Sequence, residues 1–343
     1  SMSQHYLEII NINGQASIQD LGRLNAQHLG FSASGAADEF AFLTANQLIA
    51  DYHSITESDQ RQRNCAAIEI TLGQISFRAN ATCVIAITGA NCKAKINDIA
   101  IKNWRCYQLK TNDMITFAMP EHGLHSYLAV AGGFTCQVEQ QPWLGSFAQT
   151  QNEMALGFTG TPLITSSKLY FSAPASNLTR PVVPVKANKP TSSPTRFYAR
   201  HRLTLRLMPS VLFLQMSIEQ QQRFLAREYI ISADSNRMGY RLQSKPEQVR
   251  LFDQKILAES LRSRCLLSMP VTYGMIQLPA NEQPIILMKE RQTMGGYPVL
   301  GSVMQTDLFR LSQMRPGEKV NFTLINHQQA QQQLHAFYRK FSL

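Results

Sequence analysis

Glu290-Arg291-Gln292-Thr293-Met294-Gly295-Gly296-Tyr297-Pro298 follows directly on the apolar run 284–288, so charged and polar donors stand where a buried strand ends in a two-glycine corner. Arg291, Gln292 and Thr293 can donate hydrogen bonds to a carboxylate, carbonyl or phosphate, while Gly295 and Gly296, next to Tyr297, let backbone N–H groups approach closely. The same residues also suit a tight turn closed by an ion pair between Glu290 and Arg291. Upstream, Arg237 sits between a polar turn and a short strand, where its guanidinium can clamp a carboxylate or phosphate with two prongs. Near the N-terminus, Ser34-Gly35 precedes a helical pattern. Unpaired N–H groups at such a start form an anion site, with Asp38 in the first turn either as a ligand contact or as the charge partner of the helix start. Asp20 and Arg23 read as a structural ion pair. His28 shows no partner carboxylate, which fits an interior histidine better than a general base.

The elements that must hold these residues are mostly strands. Short β-type segments recur at 6–12, 67–72, 74–79, 83–88, 114–117 and 126–130, bounded by Gly, Asn, Asp and Pro, a pattern of a barrel or sandwich. Residues 127–133 read as packing and a tight corner. One helix is expected over 36–49, after the Ser34-Gly35 turn, and another over 328–338, with apolar positions at 330, 334, 337 and 338. The stretch 165–193, rich in Ser, Thr, Pro and Asn, reads as a connector, which places an N-terminal domain at 1–199 and a C-terminal one at 200–343. The strand 203–207 parallels 6–12, and 311–322 lines up with 107–117, consistent with two related barrels in tandem.

Composition narrows the function classes. Hydrophobic residues make up 44% and charged residues 16%, and the formal net charge is +10. The basic residues are scattered without interleaved aromatics, which argues against nucleic acid and leaves an acidic partner or an anionic substrate to account for the charge. The six cysteines contain no Cys-x-x-Cys pair and the eight histidines no His-x-x-x-His array, so no metal site is legible. No apolar run approaches the roughly 20 residues of a bilayer span, and no secretory leader is legible in 1–5. A cytoplasmic protein with reduced thiols and no membrane association is the expectation.

Taken in order, 17–23, 28–30, 34–38, 69–73, 88–90, 127–133, 237–239, 291–293 and 295–298 resemble the family of allophanate hydrolase subunit 2, or biotin-dependent carboxyltransferase-like proteins, which includes the C-type subunit of 5-oxoprolinase and a sporulation kinase-inhibitor antagonist. The resemblance runs along nearly the whole chain. It implies a mainly β protein of two tandem cyclophilin-like β-barrels with a few short helices. It also implies A-like and B-like partner proteins, and ATP-dependent opening of the lactam 5-oxo-L-proline to L-glutamate as an amide hydrolase active only in the complex. On this resemblance the catalytic candidates are Arg291, Gln292 and Asp38. Ser34, Gly35, His28, Arg237, Thr293, Gly295, Gly296 and Tyr297 are the substrate contacts, with the small amide held between the two domains.

Two other functions fit the same family. One is a carboxyltransferase component acting on biotin and urea or another amide, which needs a biotin carrier, because this chain has no Met-Lys-Met attachment motif. The other is a non-catalytic regulator of a kinase-inhibitor protein. ATP would be a co-substrate of the complex, bound outside any Walker loop, since no Gly-x-x-x-x-Gly-Lys-Ser/Thr run is present. The chain departs from the family pattern over 144–160, where relatives continue Leu-Gly-Ser with an arginine and this chain reads Leu144-Gly145-Ser146-Phe147-Ala148-Gln149.

Overall fold

The computed structural model describes residues 4–23, 33–52, 62–138, 140–172, 194–245, 250–251, 269–292 and 294–343. The chain forms two compact units: the first takes residues 1–24, 33–198 and 340–343, the second 25–32 and 199–339.

Among the described residues of the first unit, eleven strands form two sheets. They are β1 (His5–Ile12), β2 (Gln15–Gln19), β3 (Ala67–Thr71), β4 (Ile75–Ala79), β5 (Cys83–Gly89), β6 (Lys95–Ile96), β7 (Ile99–Ala100), β8 (Arg105–Leu109), β9 (Met114–Phe117), β10 (His125–Val130) and β11 (Lys168–Phe171). One sheet runs β11-β1-β4-β9-β6-β7, the other β2-β3-β10-β5-β8. Strand β5 is buried at every position, and β10 likewise, because helix α1 (Glu39–Tyr52) packs across both. A strand covered on both faces has no solvent side on which to place polar residues, which is why 83–88 reads as a continuous apolar run. Leu7, Ile9, Ile68, Phe77, Ile85 and Leu128 meet in one core.

Helix α1 begins at Glu39, three residues later than the sequence pattern suggests, because the preceding amides are engaged elsewhere: Ala36 N–H donates to the Asp20 carbonyl at 2.8 Å and Ala37 N–H to Glu69 Oε2 at 2.9 Å. A short helix α2 (Gln151–Ala155) lies within 144–160 and is capped by Thr150.

In the second unit a closed barrel runs β12-β19-β16-β17-β14-β13-β20, with β12 (Arg202–Pro209), β13 (Tyr229–Ile231), β14 (Gly239–Gln243), β16 (Met275–Gln277), β17 (Ile285–Leu287), β19 (Val299–Val303) and β20 (Lys319–Leu324). The small pair β15 (Met269–Pro270) and β18 (Met294–Gly295) stands apart. Along β12, Leu203, Leu205 and Leu207 point inward while Thr204 and Arg206 alternate with them, the period of two that a one-sided strand requires. Among its described residues the unit also holds helices α3 (Val211–Gln215), α4 (Ile218–Ala226), α5 (Gln305–Leu311) and α6 (His327–Arg339). Phe224 stacks on Phe322 at 4.9 Å within the core, and truncating such a ring costs about 3–5 kcal/mol. The molecule is mainly β, as the sequence indicates, with one barrel closed by the parallel pairing of β12 with β20.

Candidate functional site

Each unit gathers a polar cluster. In the first unit, residues 20–23 run beside 33–36. Arg23 N–H donates to the Ala33 carbonyl at 2.6 Å, and the positive φ of Gly35, +109°, brings its backbone against Leu21, where a Cβ would lie 3.0 Å from the Leu21 carbonyl. Ser34 is buried, and its hydroxyl lies 3.3 Å from Gln19 Oε1 and 3.4 Å from the Gln149 carbonyl. Asp38 stands at the cap of α1. Its Oδ1 accepts Ala41 N–H at 3.1 Å, and its own N–H donates to the Tyr127 hydroxyl at 2.9 Å. Of the two roles the sequence leaves for Asp38, the geometry is that of the helix-start partner, and the amides of Ala36, Ala37 and Asp38 already have protein acceptors.

Behind that helix start lies a network that strand patterning reads as packing alone. Tyr127 donates to Glu69 Oε2 at 2.7 Å, the Glu69 Oε1 lies 3.8 Å from His125 Nδ1, and that ring nitrogen is 2.9 Å from Thr71 Oγ1. Burial, reinforced by the charges of Glu69 and Asp38, pushes the Tyr127 phenol well above its ordinary range, so it keeps the proton it donates. The alternation of Glu69 and Tyr127 with apolar neighbours is the signal available in the sequence: a carboxylate inside an apolar strand must find a donor.

Asp20 and Arg23 do not form the ion pair expected of them. The Asp20 carboxylate accepts from Gly22 N–H at 2.8 Å, Ser146 Oγ–H at 2.5 Å and Phe147 N–H at 2.8 Å, and it acts on Arg23 only through space. Arg23 is 1% exposed, and its Nη2 donates to the Ala148 carbonyl. Its Nε and Nη1 have no acceptor among the described residues. Burial lowers its pKa, against the opposing pull of Asp20 and then Glu153. A buried donor left without an acceptor costs about 1–3 kcal/mol. Residues 146–149 are fastened to 18–23 by further bonds: Gln149 Oε1 accepts Ile18 N–H at 2.8 Å, and Gln149 N–H donates to the Ile18 carbonyl at 2.9 Å.

In the second unit, backbone bonds from Met288 N–H to the Met238 carbonyl and from Glu290 N–H to the Arg237 carbonyl lay the two motif segments side by side. Glu290 pairs with Arg237, Nε to Oε1 at 3.2 Å, so the two-pronged clamp expected of Arg237 is directed in part at the protein's own carboxylate. Arg291 is half-buried, with its guanidinium carbon 5.8 Å from the Tyr273 ring centre, and burial lowers its pKa. Lys289, which the sequence pattern passes over inside an apolar run, is 7% exposed and holds its ammonium 4.5 Å from the same ring. Gln292, Gly296 and Tyr297 are exposed. The two glycines differ: a Cβ on Gly295 would collide with the Gln277 amide, whereas Gly296 faces open space. An open depression of about 570 Å³ is bounded by Ala233, Asp234, Ser235, Asn236 and Arg241, beside the Arg237 turn. His28 and Thr293 lie outside the described residues. Among the described residues no His, Cys, Asp and Glu group has the makings of a metal site, and no helix is long and apolar enough to cross a membrane.

Residues 29–324 match the family model of the carboxyltransferase domain, subdomain A and B. The chain is 30% identical over 325 residues to the C-type subunit of the 5-oxoprolinase of Escherichia coli K12, a match that covers 94% of this chain and 93% of that protein. It is 26% identical over 324 residues to the C-type subunit of the 5-oxoprolinase of Haemophilus influenzae, with coverage of 94% and 93%. Among solved structures, the K. lactis urea amidolyase superposes with a TM-score of 0.75 at 19% identity, covering 99% of this chain and 20% of that much longer one, a likeness of fold.

Proposed function

The chain belongs to the carboxyltransferase-domain family, subdomains A and B, and on that premise we propose that it is the C-type subunit of a cytoplasmic, ATP-dependent 5-oxoprolinase complex that converts 5-oxo-L-proline to L-glutamate with A-like and B-like partners. The observation that carries this reading is end-to-end colinearity with the C-type 5-oxoprolinase relatives, set against the small fraction of urea amidolyase to which the chain corresponds.

An unactivated lactam does not open readily at neutral pH, so the lactam carbonyl oxygen is phosphorylated by ATP and water adds to the activated carbon. The ring C–N bond then breaks, the nitrogen takes up protons to become the amino group, and the acyl phosphate left behind is hydrolysed by a second water. Arg291 and Gln292 are assigned as donors to the reacting carbonyl, where charge on oxygen develops. Arg237 secures Glu290 and with it the segment that carries Arg291. Asp38 is assigned to the start of α1, which keeps Ser34 and Gly35 in place.

Carboxyl transfer from biotin to a small amide is the second reading, favoured by the family model that matches. The deciding experiment reconstitutes the chain with its A-like and B-like partners and follows ATP-dependent glutamate formation, leaving out one component at a time. Turnover that disappears without this chain supports the oxoprolinase reading. An assembled complex that is inactive on 5-oxoproline and carboxylates urea from a biotin carrier overturns it in favour of the second.

A further inference from the structure

Arg23 is a fully buried cation with donors still unused. Nη2 bonds the Ala148 carbonyl, and neither Nε nor Nη1 has an acceptor among the described residues. The nearby carboxylates do not supply one: both oxygens of Asp20 are taken by Gly22, Ser146 and Phe147, and Glu153 acts only through space. Buried polar groups in folded proteins are overwhelmingly bonded, so unused donors on a guanidinium mark a place where an acceptor fits.

The charge around Arg23 selects the kind of acceptor. Two carboxylates already act on one guanidinium, so an added anion would be repelled by both. A neutral carbonyl oxygen escapes that repulsion and still accepts strongly, most of all when its bond to nitrogen pushes negative charge onto the oxygen, as in an amide.

Among the described residues an aromatic side chain lies over this group. The Trp143 indole lies over the guanidinium at 4.9 Å and stacks on Phe158 at 4.8 Å. Trp143 and Ser146 close a two-residue turn whose central residues, Leu144 and Gly145, have φ values of +49° and +79°. Leu144 and Phe158 are exposed, and a Cβ on Gly145 would meet nothing within 4 Å. The indole thus lies over the guanidinium at the base of a turn whose tip, Leu144 and Gly145, is exposed. Ser34 lies alongside, since its hydroxyl and Arg23 approach the consecutive carbonyls of Gln149 and Ala148.

We propose that Arg23 is a binding group for the carbonyl of a small amide, reached by displacement of Trp143. The proposal rests on the reading of the substrate as a small amide and adds to it a recognition group, Arg23, that lies against residues 143–149.

The test uses the full chain alone with 2-pyrrolidinone, a neutral lactam, as the probe. The chain has two tryptophans, so Trp104→Phe leaves Trp143 as the sole emitter. A saturable change in Trp143 emission is expected, with apparent affinity lower by at least about tenfold in Arg23→Met and in Arg23→Lys, both checked for fold by circular dichroism. Should the Arg23 variants fail to fold, Trp143→Ala decides: lactam binding followed by calorimetry must persist or tighten once the cover is removed. The proposal is overturned by a flat titration, by unchanged affinity in a folded Arg23→Met, by loss of binding in a folded Trp143→Ala, or by acetate competing as well as the lactam. Neither partner nor nucleotide is needed, so an inactive complex would count against the proposed function and leave this result standing.

Discussion

The Tyr198 hydroxyl donates to Asp38 Oδ2 at 2.6 Å while Ala41 N–H holds Oδ1 of the same carboxylate, so Tyr198 is bonded to the residue immediately before α1. Phe197 stacks on Phe40 of that helix at 4.1 Å, adding an apolar contact to the polar one.

Asp38→Ala removes the cap and strands the Tyr198 hydroxyl, and is expected to lower stability by about 2 kcal/mol in urea denaturation. Asp38→Asn keeps an acceptor for Ala41 N–H and should cost less than about 1 kcal/mol with turnover of the complex largely retained. A tenfold or larger drop in turnover with an intact fold would instead return the carboxylate to the chemistry.

Arg291→Ala is expected to reduce turnover of the reconstituted complex by about 100-fold or more, with circular dichroism and partner binding unaltered. Arg291→Lys should fail similarly, because an ammonium cannot reproduce a planar two-pronged donor. Wild-type turnover in either variant would take Arg291 out of the site.

Burial raises the thiols of Cys83 and Cys106 to about 12 and that of Cys136 to about 11, from 9.0 in the open chain, and also pushes up the Tyr127 phenol. Above pH 9 the unfolded chain releases protons that the folded state keeps, so these groups contribute fully below that pH and progressively less as it rises. The urea midpoint is therefore expected to fall above pH 9. At about pH 8, alkylation of these three cysteines, read by mass spectrometry, should be slow until the protein is denatured. A midpoint that climbs between pH 9 and 10, or rapid native alkylation, would contradict the assignment.

Much of the local structure is legible in the sequence. The alternating Leu203, Leu205 and Leu207 of β12, the continuous apolar run of β5 and the apolar face of α6 follow from side-chain periodicities of two and 3.6, which neighbouring residues encode. Motif order along the chain likewise points to the family.

What the sequence by itself determined is the mainly β character, the two longer helices α1 and α6 and the set of polar residues that need partners. Which partner each one takes was decided only by tertiary structure. Glu290 pairs with Arg237, distant in sequence, because backbone bonds align 237–238 with 288–290. Asp20 bonds Ser146 and Phe147, leaving Arg23 under Trp143, because 146–149 is fastened across 18–23. Periodicity is a property of adjacent residues. Hydrogen-bond and ion-pair partners are fixed by long-range register and by the need to satisfy whatever folding removes from water.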